Sequence, residues 1–159
     1  SGIDDYLTKP VSTEMLQRAV LSTTSPGTIL IVDDDPGFVS LMSRMLRSLA
    51  FRGTLLAAYT GNDALRLAQE RQPDVVLLDL LLPDTDGFQV AAALRATPAT
   101  DNVRIIAVTA TSYAAEALRH HGGHLTITRS AGISTGTIVE LINAILATIR
   151  PDYAAEEST

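Results

Sequence analysis

Cysteine is absent from all 159 residues, which excludes a disulfide framework, a thiolate metal site and a cysteine nucleophile, and fits a reducing cytoplasm. Positive charge is scarce. Twelve Lys and Arg stand against 18 Asp and Glu, for a net charge of -6 and a pI near 4.9. With no Lys/Arg cluster, the balance argues against direct nucleic-acid binding. Long apolar runs are missing too, because Asp74, Asp79 and Pro83 interrupt them well short of the roughly 18 residues a membrane span needs. No basic stretch leads into an apolar core at the start, so a signal peptide is not expected. No G-x-G-x-x-G follows Val32, which disfavours a dinucleotide-binding enzyme.

What is present is a hydrophobic fraction of 46%, enough for the core of one domain of common size plus some tail. Two apolar runs end in acids. Thr28-Ile29-Leu30-Ile31-Val32 leads into Asp33-Asp34-Asp35, and Val75-Val76-Leu77-Leu78 leads into Asp79. Either run alone could end in ordinary loop acids. Together they describe an acidic pocket at the edge of an α/β sheet. Crowded carboxylates need a proton or a divalent cation to offset their repulsion, and Mg²⁺ suits oxygen ligands while leaving room for a phosphoryl group.

Strands and helices alternate along the chain. Strands are expected at 28–32, 54–58, 74–78, 103–108 and 125–128. Asp35-Pro36 opens a helix with Phe38, Leu41, Met42, Met45, Leu46 and Leu49 on one side, which Gly53 should stop. Thr60-x-x-Asp63 opens a second, closed by Pro73, and Asp86-Gly87 leads into a third through about Leu94. Ser112 begins a short alanine-rich helix that ends near Gly122-Gly123. A last helix places Ile138, Leu141, Ile142, Ile145, Leu146 and Ile149 on one stripe before Pro151. Five βα units with nearly continuous apolar strands imply a parallel sheet covered on both faces. Ligands collect at the carboxyl ends of such strands, where Asp33, Asp34, Asp79 and Thr109 all fall.

The segments ILIVDDDP at 29–36, DVVLLDLLLPDTDG at 74–87 and IIAVTA at 105–110 resemble, in order and spacing, the receiver domains of two-component response regulators. The resemblance covers roughly residues 28–149. It implies a flavodoxin-like (βα)5 doubly wound fold with strand order 2-1-3-4-5, counted from the strand at 28–32. Asp79 is then the phospho-acceptor, Asp33 and Asp34 hold Mg²⁺ with it, the backbone carbonyl of Leu81 is a further metal ligand, and Thr109 bonds a phosphoryl oxygen. The chemistry stands on its own terms: a carboxylate nucleophile forms an acyl phosphate while a cation offsets charge.

The fifth strand departs from the family pattern. Where receivers carry Lys-Pro with an aromatic residue three positions earlier, this chain has Arg129, Ser130 and Thr126. Arg129 can still pair with a phosphoryl oxygen, but its planar fork is not equivalent to an ammonium. With Ser at position 130, a trans bond and a rerouted loop are expected, because a cis bond there would cost about 3 kcal/mol. The expected domain accepts phosphate but signals weakly or by another route.

The usual ending occurs instead at the start of the chain. Gly2-Ile3-Asp4-Asp5-Tyr6-Leu7-Thr8-Lys9-Pro10 aligns with Gly122 to Ser130 at an offset of 120. Ser12 can cap a helix carrying Met15, Leu16, Ala19 and Val20, and residues 21–27 read as a linker. Residues 1–25 therefore look like the terminal strand and helix of a preceding receiver, residues 26–150 like the receiver itself, and 151–159 like a tail. Cut off from its own sheet, the first segment has no acidic pocket for Lys9, which receives no site role. Its apolar stripe should pack on this receiver, form a homodimer or stay loose, and a swap into the fifth-strand position is the outcome least expected.

His120, His121 and His124 flank a helix-end turn and suit the helix C-terminus better than a metal. A haloacid-dehalogenase-like phosphatase would need a second Asp two positions after Asp79, where Leu81 stands. The reading is a cytoplasmic bacterial regulatory domain rather than an enzyme. Its partners would be a histidine kinase or phosphotransfer protein and neighbouring receiver and output domains, with no nucleic acid or membrane. The alternative is a phosphorylation-independent pseudo-receiver that acts as a protein interaction module.

Overall fold

The computed structural model describes residues 2–21 and 25–110. Its elements are β1 (Asp5–Lys9), α1 (Thr13–Leu16, continued by a π-helical turn Gln17–Leu21), β2 (Thr28–Val32), α2 (Pro36–Ser48), β3 (Thr54–Ala58), α3 (Gly61–Arg71), β4 (Val75–Leu78), α4 (Gly87–Ala96) and β5 (Arg104–Ala110). All strand pairs are parallel, in the order β1-β5-β4-β2-β3. The expected flavodoxin-like sheet is present, and its first four positions carry the anticipated order.

The fifth position holds a different segment. Asp5–Lys9 lies along β5, pairing Asp5 with Ile106, Tyr6 with Ala107, Leu7 with Val108 and Thr8 with Thr109. The segment expected to have lost its sheet has found one, through the arrangement considered least expected. Residues 125–128, 129 and 130, with the loop and peptide geometry expected there, lie outside the described residues, as do the segments where the last two helices were expected, the three histidines and residues 151–159.

The physical reason is edge satisfaction. An open parallel edge leaves backbone groups unpaired, and residues 5–9 bring an alternating pair of core side chains with their backbone. Tyr6 is fully buried on one sheet face with Ala64, Ala68, Phe88, Val90, Ala91 and Leu94 of α3 and α4. Leu7 is fully buried on the other, with Met15, Leu16, Val20, Val39, Met42 and Leu46 of α1 and α2. The apolar stripe of α1 is therefore covered by the same sheet. Burying a side chain of this size contributes about 1.5–3 kcal/mol, so Tyr6, Leu7, Met15 and Leu16 together offset a substantial part of the entropy of ordering the segment, beside the backbone hydrogen bonds to β5.

Local signals act where expected. Ser12 caps α1 by accepting from the Met15 N–H, and Thr60 caps α3 by accepting from the Asp63 N–H. Asp35 caps α2 with Pro36 in its first turn, and Asp86 caps α4 by accepting from the Gln89 N–H. Two helix ends differ in detail. α2 stops at Ser48, with Ala50 in the left-handed region at φ 66°, before Gly53 is reached. Gly53 is needed for another reason, since a Cβ there would collide with the Gly27 carbonyl. Leu41, expected on the buried side of α2, is 41% exposed, and Val39 is buried in its stead.

Candidate functional site

The sheet delivers carboxylates from two adjacent strands, because β2 and β4 are neighbours with Val32 level with Leu78. The next residues, Asp33 and Asp79, therefore emerge side by side. Both are nearly buried, whereas Asp34 is exposed. One oxygen from each of Asp33, Asp34 and Asp79 falls within a cluster spanning 4.8 Å, a donor set suited to a hard divalent cation. The Asp33 Oδ1 accepts from the Asp35 N–H at 2.9 Å, and the Asp79 Oδ1 accepts from the Leu81 N–H at 3.1 Å. One oxygen of each carboxylate is thereby held by backbone while the other faces the pocket.

Lys9 enters from β1. Its Nζ lies 2.9 Å from Asp33 Oδ2 and 3.7 Å from Asp79 Oδ2, and stands 4.1 Å from the centre of the Phe38 ring. It is the chain's only lysine. The expectation that Lys9 lacks an acidic pocket is thus corrected: β1 ends level with β5, and the residue at its carboxyl end reaches the same rim as Asp33 and Asp79. Tyr6 and Lys9-Pro10 carried the signal in the sequence. Their destination could not be read there, because it depends on which edge the strand joins.

Burial pushes the Asp79 carboxyl up to about 6, against the Leu81 hydrogen bond and the Lys9 charge that pull it down, with Asp33 and Asp34 adding to the rise. For Lys9, burial works to lower the pKa, but the hydrogen bond to Asp33 and the charges of Asp79 and Asp33 outweigh it and the net shift is upward. Asp79 is therefore a carboxylate that is costly to ionise, beside a cation held in place.

Thr109, at the end of β5, is fully buried, and its hydroxyl has no hydrogen-bond partner among the described residues. An uncommitted buried hydroxyl at the rim of an acid pocket is a donor in reserve. Leu81 is 53% exposed and forms an isolated antiparallel bridge with Asp86. Asp84 in the same loop reaches the start of α3, where its two oxygens accept from the Gly61 and Asn62 N–H groups at 2.8 and 2.9 Å. Those bonds hold its pKa below the usual carboxylate range. Gly87 is required where α4 begins, since a Cβ there would sit 2.7 Å from the Asp79 carbonyl oxygen. Arg129, assigned a part in the site from sequence, lies outside the described residues.

A doubly wound parallel sheet thus carries acids at the ends of β2 and β4 and a buried hydroxyl at the end of β5. The sequence pattern of the response regulator receiver domain matches residues 29–131, and the chain belongs to that family. Such domains are regulatory modules of two-component signalling, not metabolic enzymes. Protein PilH of Pseudomonas aeruginosa is 31% identical over 121 residues, which span 75% of this chain and 97% of PilH. The DNA-binding response regulator MtrA of Mycolicibacterium smegmatis is 39% identical over 83 residues, so the match spans 52% of this chain and 36% of MtrA. Among solved structures, a response-regulator chain from Chloroflexus aurantiacus is 28% identical with a TM-score of 0.55, covering 77% of this chain and 98% of that one. The receiver domain of the Pseudomonas aeruginosa sensor histidine kinase PA1611, solved with a magnesium ion in its active-site cleft, is 28% identical with a TM-score of 0.52, covering 77% and 97%.

Proposed function

We propose that this receiver takes a phosphoryl group from a phosphohistidine onto Asp79. The donor would be a histidine kinase or a phosphotransfer protein, and the acyl phosphate would shift the domain between two conformations read by an output domain. The observation that carries this is the Asp79 carboxylate itself, nearly buried at the end of β4, backed by Leu81 and flanked by Asp33 and Lys9.

In the reaction an Asp79 oxygen forms a bond to phosphorus while the P–N bond to imidazole breaks, and the imidazole takes up the released electron pair and a proton. Asp33, Asp34, Asp79 and the Leu81 backbone carbonyl would hold Mg²⁺, and their oxygen-only donor set fits that ion. Bound there, the cation would neutralise charge on the nucleophile and on the phosphoryl oxygens. Lys9 holds a positive charge 3.7 Å from the attacking carboxylate and would follow it onto a phosphoryl oxygen. Thr109 would donate its unpartnered hydroxyl to another. The Leu81 N–H keeps the second Asp79 oxygen fixed, so that one oxygen is directed at the incoming group.

A cytoplasmic bacterial setting and a place among tandem receivers, with residues 1–25 derived from a preceding one, belong to the same proposal. With β1 beside β5, Lys9 would take the cationic role that the family pattern assigned to Arg129. Intact-mass measurement after incubation with acetyl phosphate tests the reading, in Mg²⁺ and in EDTA, on the natural chain and on Asp79→Asn. The expected result is a Mg²⁺-dependent gain of one phosphoryl group that Asp79→Asn abolishes. No gain under any condition would favour a phosphorylation-independent interaction module.

A further inference from the structure

The sheet edge beside β5 has two candidate occupants in this one chain, residues 2–10 and their sequence counterpart at 122–130. The family match at 29–131 contains the second and excludes the first, yet the structure seats the first. The side chains that line the edge account for the choice.

Asp4 Oδ2 lies 2.7 Å from Arg95 Nη2 and accepts from the Ile105 N–H at 2.7 Å, while the Asp4 N–H donates to the Ile105 carbonyl at 2.8 Å. Arg95 also donates to the Gly2 carbonyl at 3.0 Å and to the Asp101 carbonyl at 2.8 Å, which fixes its guanidinium for that carboxylate. One residue on, Asp5 Oδ2 stands 3.8 Å from Arg104 Nη2. Two arginines of the receiver body therefore meet two carboxylates of the docked strand. At the matching positions of the counterpart stand His124 and Leu125, neither of which can accept from a guanidinium as an anion. The next position repeats the contrast, with the fully buried Tyr6 against Thr126. Gly2 and Gly122 match, so the positive φ of Gly2 favours neither.

We propose that the β5 edge is a selective docking slot for residues 2–10 of the same chain, that Arg95 and Arg104 together with the Tyr6 site reject residues 122–130, and that docking is what brings the only lysine into the acid pocket. The slot discriminates by charge and by ring. A carboxylate paired to a fixed guanidinium is a strong, charge-assisted contact, and losing it leaves Arg95 without its only described carboxylate partner. Undocking would withdraw the Lys9 charge from Asp33 and Asp79 together, which makes the segment a control on the site. The inference concerns how the sheet is completed, and it stands or falls separately from phosphorylation of Asp79.

Because Lys9 is the only lysine, its reactivity reports docking directly in the full-length chain. The side chain of Lys9 is held on two carboxylates and 29% exposed when docked, and is free when not. Acylation of Lys9 by an N-hydroxysuccinimide ester, followed by peptide mass spectrometry, should be about tenfold slower than in the urea-unfolded chain, the factor that a contact of 1.4 kcal/mol commands. Asp4→Ala and Arg95→Ala should each restore fast acylation, and the two together should speed it little beyond either alone, as expected of two partners in one contact. Converting the counterpart with His124→Asp, Leu125→Asp and Thr126→Tyr should let it compete, raising Lys9 acylation several-fold with the slot itself untouched.

Protection should not change with protein concentration, because the strand comes from the same chain. Fast acylation of the natural protein, single variants without effect, single-variant effects that add in full in the double variant, or a counterpart conversion that leaves Lys9 protected would each overturn the selectivity. Protection that rises with concentration would overturn the assignment to the same chain.

Discussion

Replacing Asp79 with Asn should stabilise the metal-free protein at neutral pH and leave it unchanged in acid. The Asp79 carboxyl sits near 6 in the folded state against an ordinary value of 3.8, with burial as the largest cause. The folded protein thus holds this proton more tightly than the unfolded chain does. Below pH 3.8 both states are protonated and the position costs nothing. Between 3.8 and about 6 the unfolded chain ionises first, so the folded state is progressively penalised, and above about 6 the penalty is complete. This is the reverse of a salt-bridged Asp with a depressed pKa. One pKa unit corresponds to about 1.4 kcal/mol, so a dry site would give about 3 kcal/mol. Solvent reaching the open side of the pocket screens part of that, leaving about 1–2 kcal/mol. For a chain of 159 residues that is a rise in Tm of about 3–6 °C. Urea unfolding followed by circular dichroism, at pH 4 and pH 7.5 in EDTA, measures it. Adding Mg²⁺ at pH 7.5 should stabilise the natural chain by mass action and the variant far less. An Asn variant that is no more stable than the natural chain at pH 7.5 would refute the argument that burial dominates at Asp79.

Lys9→Met should lower stability by about 1–3 kcal/mol in urea unfolding, because it keeps the packing of the stem while removing the cation that Asp33 and Asp79 face; an unchanged midpoint would mean that the ion pair contributes no net stabilisation. Gly87→Ala should cost about 1–3 kcal/mol by thermal melt, since the new methyl meets the Asp79 carbonyl and the Leu80 Cα, both backbone and both at 2.7 Å. Asp84→Ala should lower the Tm by removing the acceptor for Gly61 and Asn62 at the start of α3, and hydrogen exchange should speed first in that turn. Because the pKa of Asp84 is depressed, its contribution should be present above the usual carboxylate pKa and fade as pH falls through the folded value, so natural and variant melts should converge in acid.

Much of this protein was legible in its sequence because the deciding interactions are local. Apolar runs that fit both faces of a parallel sheet mark β2, β4 and β5, and the capping side chains of Ser12, Asp35, Thr60 and Asp86 sit within three residues of the N–H groups they accept from. The acid pair followed from topology, since neighbouring parallel strands that end together must present Asp33 and Asp79 at one rim. The capping of α3 by Asp84 did not follow, because it joins residues 23 apart. Nor could sequence choose between the two strands able to complete the sheet. Residues 2–10 and 122–130 share an alternating pattern, and pattern alone makes either a fair fifth strand. The choice rests on Arg95 and Arg104 meeting Asp4 and Asp5, and on the space that Tyr6 fills beside Phe88. Those partners lie about a hundred residues apart along the chain, so only the assembled sheet brings their charges close enough to decide which segment docks.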